Sequence, residues 1–201
     1  DSSASMLARA AASRSPSEGR RLRWVEADLR SWAPEEPFDV VYSNATLHWL
    51  DDHEQVVPRL FSMLEPGGVL AVQVPRNFGA PSHARMREIA SRRPFADRIA
   101  LRQAPVHAPG WYAACLARCG AVGIDVWETE YLHRLGGEDP VFEWVRGTAL
   151  LPVLEALDGD DLDAFLTAYR EALRDAYPMR DGGVTVFPFS RVFFVARRPE
   201  A

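Results

Sequence analysis

The chain has 201 residues, 47% of them hydrophobic and 25% charged, enough to bury a proper core within a single globular domain. Its formal net charge of −5, without a long run of one sign, argues against nucleic acid as a partner. No apolar run approaches the ~18 residues needed to cross a bilayer and no charged-then-apolar leader opens the sequence, so a soluble, cytoplasmic protein is expected.

In chain order, Asp1, Ser2 and Ser3 supply capping groups for a helix that continues through Met6. Leu22–Glu26 reads as a short strand ending at Asp28, and Phe38–Ser43 as a buried parallel strand rich in β-branched and aromatic residues. Val56, Val57, Leu60, Phe61 and Leu64 follow helical spacing up to Pro66-Gly67-Gly68, with Pro58 inside, so that helix should start late or bend. Val69–Val74 is the next buried strand, closed by Pro75. Helices are predicted over Ser82–Ser91 and Pro109–Cys119, and a strand over Ile124–Leu135. Cys115 and Cys119, four apart, lack the spacing of a redox or zinc pair and fit reduced core thiols, so no metal is expected. A helical block follows from about Asp139 to Tyr177, with Leu162, Phe165, Leu166, Tyr169 and Leu173 on one face. Asp181-Gly182-Gly183 makes a turn, and Val192–Ala196 closes the sequence as a strand. The pattern predicts an α/β fold, a Rossmann-like sheet mostly parallel with an antiparallel C-terminal edge.

In such sheets ligands bind beyond the carboxyl ends of the strands. Asp1, Asp28 and Asn44 occupy those positions. An acidic residue before a helix can accept from ribose hydroxyls, Asp28 can accept from an adenine amino group beside the backbone of Leu29, and Asn44 can reach an amino-acid-like tail. Each also has a structural alternative as a cap, a loop turn or a self-bonded amide. Taken together at successive strand ends, they favour a nucleoside site.

The blocks Asp1-Ser2-Ser3, Val25–Arg30, Ser43–Leu50, Pro66–Pro75 and Arg191–Arg198 resemble those of trans-aconitate 2-methyltransferases, within the class I S-adenosylmethionine-dependent methyltransferases. Val106-His107 and Glu143-Trp144-Val145 resemble that family in particular. The resemblance implies one methyltransferase domain over residues 1–201, with residues 136–180 as a helical lid. It also implies an upstream strand and a D-x-G-x-G-type loop, at least roughly 20 residues before Asp1. S-adenosylmethionine is the implied cofactor, held by Asp1, Ser2, Met6, Asp28, Leu29, Asn44 and Ala45, and a small polycarboxylate is the implied substrate.

A carboxylate acceptor is already ionised at neutral pH, so the reaction needs alignment rather than a catalytic acid or base. It does need positive charge, which the arginine fork supplies well. Candidates for the acceptor pocket are His48, Trp49, Arg76, Asn77, His83, Arg87, His107, Tyr112, Tyr131, His133, Trp144 and Arg191. Trp49, Asn77, His107 and Arg191 are preferred; Arg87 reads equally as a surface charge and Trp144 as core. Two other readings stay open: a methyltransferase for another small acceptor, with His48 or His107 as base for a hydroxyl, or a non-catalytic nucleoside-binding module.

Overall fold

The computed structural model describes residues 1–13, 22–101 and 106–200. In chain order its elements are α1 (Ala4–Ala12), β1 (Phe38–Asn44), a 3-10 turn (Leu47–Trp49), α2 (His53–Ser62), β2 (Leu64–Pro75), α3 (Pro81–Ala90), α4 (Pro109–Arg118), β3 (Val122–Gly136), α5 (Pro140–Arg146), α6 (Leu151–Ala156), α7 (Gly159–Ala176), β4 (Met179–Arg180) and β5 (Val184–Arg197).

The sheet runs β1-β2-β5-β3, with β4 paired to the start of β5. β1 and β2 pair parallel, while β5 lies antiparallel to both β2 and β3, so three of the four long strands share a direction. The antiparallel element is therefore the last strand of the chain, and it stands between β2 and β3 rather than at the sheet's edge. β5 is also far longer than the predicted Val192–Ala196, because Val184–Ser190 continues along β3 beyond the point where β2 ends.

Alternation along the strands sorts side chains by face. Leu70, Val72 and Val74 of β2 and Val192, Phe194 and Ala196 of β5 point to one face and are buried there against Val56, Val57, Leu60 and Phe61 of α2 and Tyr112, Cys115 and Leu116 of α4. Fully burying each of the larger aliphatic or aromatic side chains stabilises the fold by roughly 1.5–3 kcal/mol. The Tyr112 ring stacks on Phe194 with centroids 4.7 Å apart, tying α4 to the centre of the sheet. On the other face Val40 and Tyr42 of β1 are 57% and 71% exposed, so β1 is not the doubly buried strand its composition predicts. Leu22–Glu26 forms no strand either. Its neighbour Ala27 donates to the carbonyl of Asp1 (3.0 Å) and Val25 accepts from the Asp1 nitrogen (3.3 Å), two bonds on one residue, too short a ladder to count as a strand.

α2 begins at His53 and continues through Pro58, earlier than that proline predicts. Gly68 then makes a close approach, since a Cβ there would lie 2.9 Å from the carbonyl oxygens of both Glu65 and Phe38.

Residues 139–177 form three helices with a core of their own. Phe165, Tyr169 and Leu173 of α7 pack with Met86 and Ile89 of α3, and Phe187 of β5 joins the same cluster. The Tyr169 hydroxyl donates to the carbonyl of Ser82 (2.9 Å), and the amide of Ser82 donates to the Tyr177 hydroxyl (3.1 Å), fixing the helical layer on the start of α3. Asp139 receives Arg174 through two bonds of 2.7 and 2.9 Å, closing the layer at its entry.

Candidate functional site

The ends of β1 and β2, the turn after β1, α3, the α5–α6 segment and the middle of β5 enclose a cavity of about 610 Å³. Its walls are largely apolar, with Trp49, Phe78, Met86, Trp144, Leu151 and Phe189, and its polar groups are few: His48, Asn77, His83, Arg87, Thr148, Glu155 and Arg191. A large, mostly apolar hollow with convergent polar groups is the usual form of a small-molecule site.

Chain geometry brings these groups together. Ala45 leaves β1 with φ 52, a left-handed conformation costly for a residue bearing a Cβ, and its amide donates to the carbonyl of Gln73 (3.0 Å). That sharp exit aims the Leu47–Trp49 turn at the cavity, where Trp49 remains 52% exposed and meets the His48 ring at a tilt, centroids 4.7 Å apart. His83 and Arg87, one helical turn apart, project from the same face of α3. Arg191 comes from β5.

Four partly buried arginines, Arg59, Arg87, Arg191 and Arg198, have no carboxylate partner among the described residues, and of these only Arg87 and Arg191 line the cavity. Arg23, Arg30, Arg76, Arg85, Arg92, Arg98, Arg146, Arg170 and Arg174 each face a carboxylate. Arg87 and Arg191 do not: Arg87 donates to the carbonyl of Phe78 (2.6 Å), and Arg191 donates to Oε1 of Gln73 (3.0 Å) with its guanidinium 4.9 Å from the Phe189 ring centroid. Both are partly buried and line the cavity. Cations withdrawn from water without a counter-charge are costly, so the arrangement is matched to an anionic occupant. Burial, and then the nearby charge of Arg87, hold His83 down at about 4, leaving it neutral at physiological pH and able to hydrogen-bond without charge.

Asn77 lines the cavity, but its amide is also a clamp: Nδ2 donates to the carbonyl of Ser190 (2.9 Å) and Oδ1 accepts from the amide of Ser190 (2.8 Å), setting the position of the adjoining Arg191. His107 does not line the cavity. Its ring stacks on Trp111 at 3.9 Å and its Nε2 lies 3.1 Å from Glu54, so the expected contact with an acceptor carboxylate is replaced by a contact within the protein. Arg76 is paired with Glu128, Tyr112 lies in the core, and Tyr131 and His133 face a shallower hollow on the exposed side of the sheet. Trp144, read equally as core, and Arg87, read equally as a surface charge, both border the cavity. The i, i+4 spacing of His83 and Arg87 was the available signal for the latter. Gln73, Thr148 and Glu155 were not anticipated, since a polar residue inside an apolar strand or helix carries no local mark of the space it faces.

The nucleoside candidates fall into two groups. Asp1 and Asp28 lie beside each other through the bonds joining Asp1 to Val25 and Ala27. Asp1 accepts from the amide of Ser3 (2.8 Å) through Oδ1, and Ser3 in turn caps Met6, so the capping role operates while Oδ2 makes no hydrogen bond among the described residues. Asp28 is held at about 2 by the side chain and then the backbone of Arg30, which engages both carboxylate oxygens. An adenine amino group would have to share that carboxylate with Arg30. Asn44 instead lines the sheet-face hollow with Tyr42, Gln73 and Arg191, which neither aspartate reaches. In that hollow Gln73 is 7% exposed and its Nε2 is buried without a hydrogen-bond partner. The nucleoside candidates therefore do not share one hollow among the described residues: Asp1 and Asp28 stand together, and Asn44 lies apart from them beside Gln73.

The strand order, the helices on the sheet and the ligand hollows at strand ends define a methyltransferase-type α/β domain, and residues 1–72 match the family described as "Methyltransferase domain". The fold is shared with the solved YcgJ protein of Bacillus subtilis, at TM-score 0.61 and 13% identity over 100% of this chain and 81% of that one. The chain is 50% identical to a trans-aconitate 2-methyltransferase of Streptomyces avermitilis over 98% of its own length and 74% of that protein. It is 51% identical to one of Streptomyces coelicolor over 100% of itself and 67% of the relative. The chain belongs to the trans-aconitate 2-methyltransferase family.

Proposed function

We propose that the protein transfers a methyl group from S-adenosylmethionine to a carboxylate oxygen of trans-aconitate or a similar small polycarboxylate, forming a methyl ester. The observation that carries the anionic substrate is the pair of guanidinium groups, Arg87 and Arg191, without carboxylate partners on the wall of an apolar cavity. Family membership carries the reaction type.

S-adenosylmethionine, when bound, supplies a methyl group activated on a sulfonium. Asp1, Ser2, Met6, Asp28, Leu29, Asn44 and Ala45 are the residues assigned to hold it. Arg191 supplies a fork for one acceptor carboxylate, and Asn77 holds Arg191 in place through Ser190. Trp49 walls the site at the turn after β1. The reacting carboxylate needs no base, so catalysis consists of aligning it and excluding water. Residues 136–180 serve as the lid: α5 and α6 contribute Trp144, Leu151 and Glu155 to the wall while α7 anchors them on α3.

No helix of the described residues is long and apolar enough to cross a membrane, and Cys115 and Cys119 are free thiols, in keeping with a cytoplasmic enzyme. Mass spectrometry of trans-aconitate incubated with enzyme and S-adenosylmethionine tests the proposal. A product heavier by one methyl and labile to mild base supports it; methyl transfer to a hydroxyl acceptor alone, with a base-dependent pH profile, refutes it.

A further inference from the structure

His53 is the only fully buried histidine among the described residues, and nothing in the proposed chemistry uses it. Its Nε2 lies 2.8 Å from the carbonyl oxygen of Leu47, and its Nδ1 lies 2.7 Å from the Tyr112 hydroxyl. A carbonyl can only accept, so Nε2 carries the proton. Nδ1 of the neutral ring must then accept, so the Tyr112 hydroxyl donates to it, leaving the phenolic oxygen to accept the backbone N–H of His107 at 3.3 Å. Every proton in this chain has one allowed place.

The chain of bonds joins three separate segments. Leu47 begins the turn that carries His48 and Trp49 to the cavity, His53 begins α2, and Tyr112 belongs to α4, which is stacked on β5. We propose that His53 and Tyr112 are positioning residues for methyl transfer, holding the Leu47–Trp49 turn so that Trp49 closes the acceptor side of the cavity. The inference rests on the acceptor-site reading above. The groups facing His53 agree with a ring kept neutral. Burial in the core depresses its proton affinity and the His107 ring at 5.9 Å acts the same way, while the bond to the Leu47 carbonyl and then Glu54 and Asp52 only partly offset this.

The test uses the full-length enzyme with Tyr112→Phe, which deletes one oxygen from a buried ring, and His53→Gln, whose amide can still donate to Leu47. Nitrogen NMR of the wild type at about pH 7.5 should show His53 with a proton on Nε2 and none on Nδ1. Tyr112→Phe should raise KM for trans-aconitate about tenfold, with KM for S-adenosylmethionine unchanged, and His53→Gln should lie between it and the wild type. A proton on Nδ1, an ordinary titration of His53 near neutrality, or variants that lose thermal stability but keep the wild-type acceptor KM would overturn the proposal. If the wild type does not methylate trans-aconitate at all, the substrate assignment fails, while the tautomer measurement still decides whether the network exists.

Discussion

Replacing Arg191 by methionine removes the guanidinium while keeping an unbranched stem to pack over Phe189 and Tyr131, whose ring centroids lie 4.9 and 5.8 Å from the guanidinium carbon. Truncating one partner of a buried, hydrogen-bonded charge pair typically costs about 2–5 kcal/mol. Arg191 is only partly buried, which places it at the lower end, about 2–3 kcal/mol, or roughly a 30- to 150-fold loss at 1.36 kcal/mol per decade. The loss should appear in kcat/KM for trans-aconitate, chiefly through KM, with S-adenosylmethionine saturating and the ester quantified by mass spectrometry. Arg191→Lys should recover only part of it, since an ammonium cannot form the two-bond fork. Gln73 Oε1 loses its donor in Arg191→Met, so a destabilisation of about 1 kcal/mol should accompany the kinetic effect without explaining it. An unchanged acceptor KM in a folded Arg191→Met enzyme would remove Arg191 from the site.

Arg87→Met should likewise raise KM for the polycarboxylate by roughly ten- to fiftyfold, and should affect a monocarboxylate far less, measured by comparing acceptors of one and three carboxylates. Equal losses for both would show that Arg87 does not read a second carboxylate. Gly68→Ala should destabilise the fold by about 2–3 kcal/mol in thermal or urea unfolding, because the added methyl meets two backbone carbonyls that cannot swing aside. Acid should weaken the fold through His83: its folded-state value of about 4 lies below the ordinary 6.5, so its contribution is complete above pH 6.5 and is lost as pH falls toward 4. The loss attributable to it is on the order of 3 kcal/mol, and His83→Phe should flatten that part of the stability-against-pH curve. A His83→Phe curve that still parallels the wild type between pH 6.5 and 4 would exclude this assignment.

What could be read without the structure follows from how local each signal is. α4 lies close to its predicted bounds and β2 ends where predicted because breakers such as Pro109 and Pro75 sit there, whereas β2 starts at Leu64, five residues before the predicted Val69, because Pro66-Gly67-Gly68 reads locally as a stop. The first half of β5 escaped because Pro188 removes a ladder donor and so argues against a strand. At Pro188, however, between the stretches paired with β4 and with β2, β5 pairs only with β3, and the missing N–H can face the open side. Exposure of Val40 and Tyr42 was likewise invisible, since composition reports a strand's propensity and not how many neighbours cover it. Among residues lining the cavity, Arg191 was legible from the block that resembles the family, whereas the contact of His107 with Glu54 was not, because Glu54 lies on α2, far away in the sequence. Long-range partners of this kind leave no trace in local spacing.

The insertion of the last strand between two earlier ones has a consequence for synthesis on the ribosome. Until the 14 residues of β5 have emerged, β2 presents an open backbone edge and β3 has no place to dock, so the nascent polypeptide must wait with its central ladder incomplete. The same segment delivers Arg191 and Phe189, so the sheet and this wall of the cavity are completed in one event.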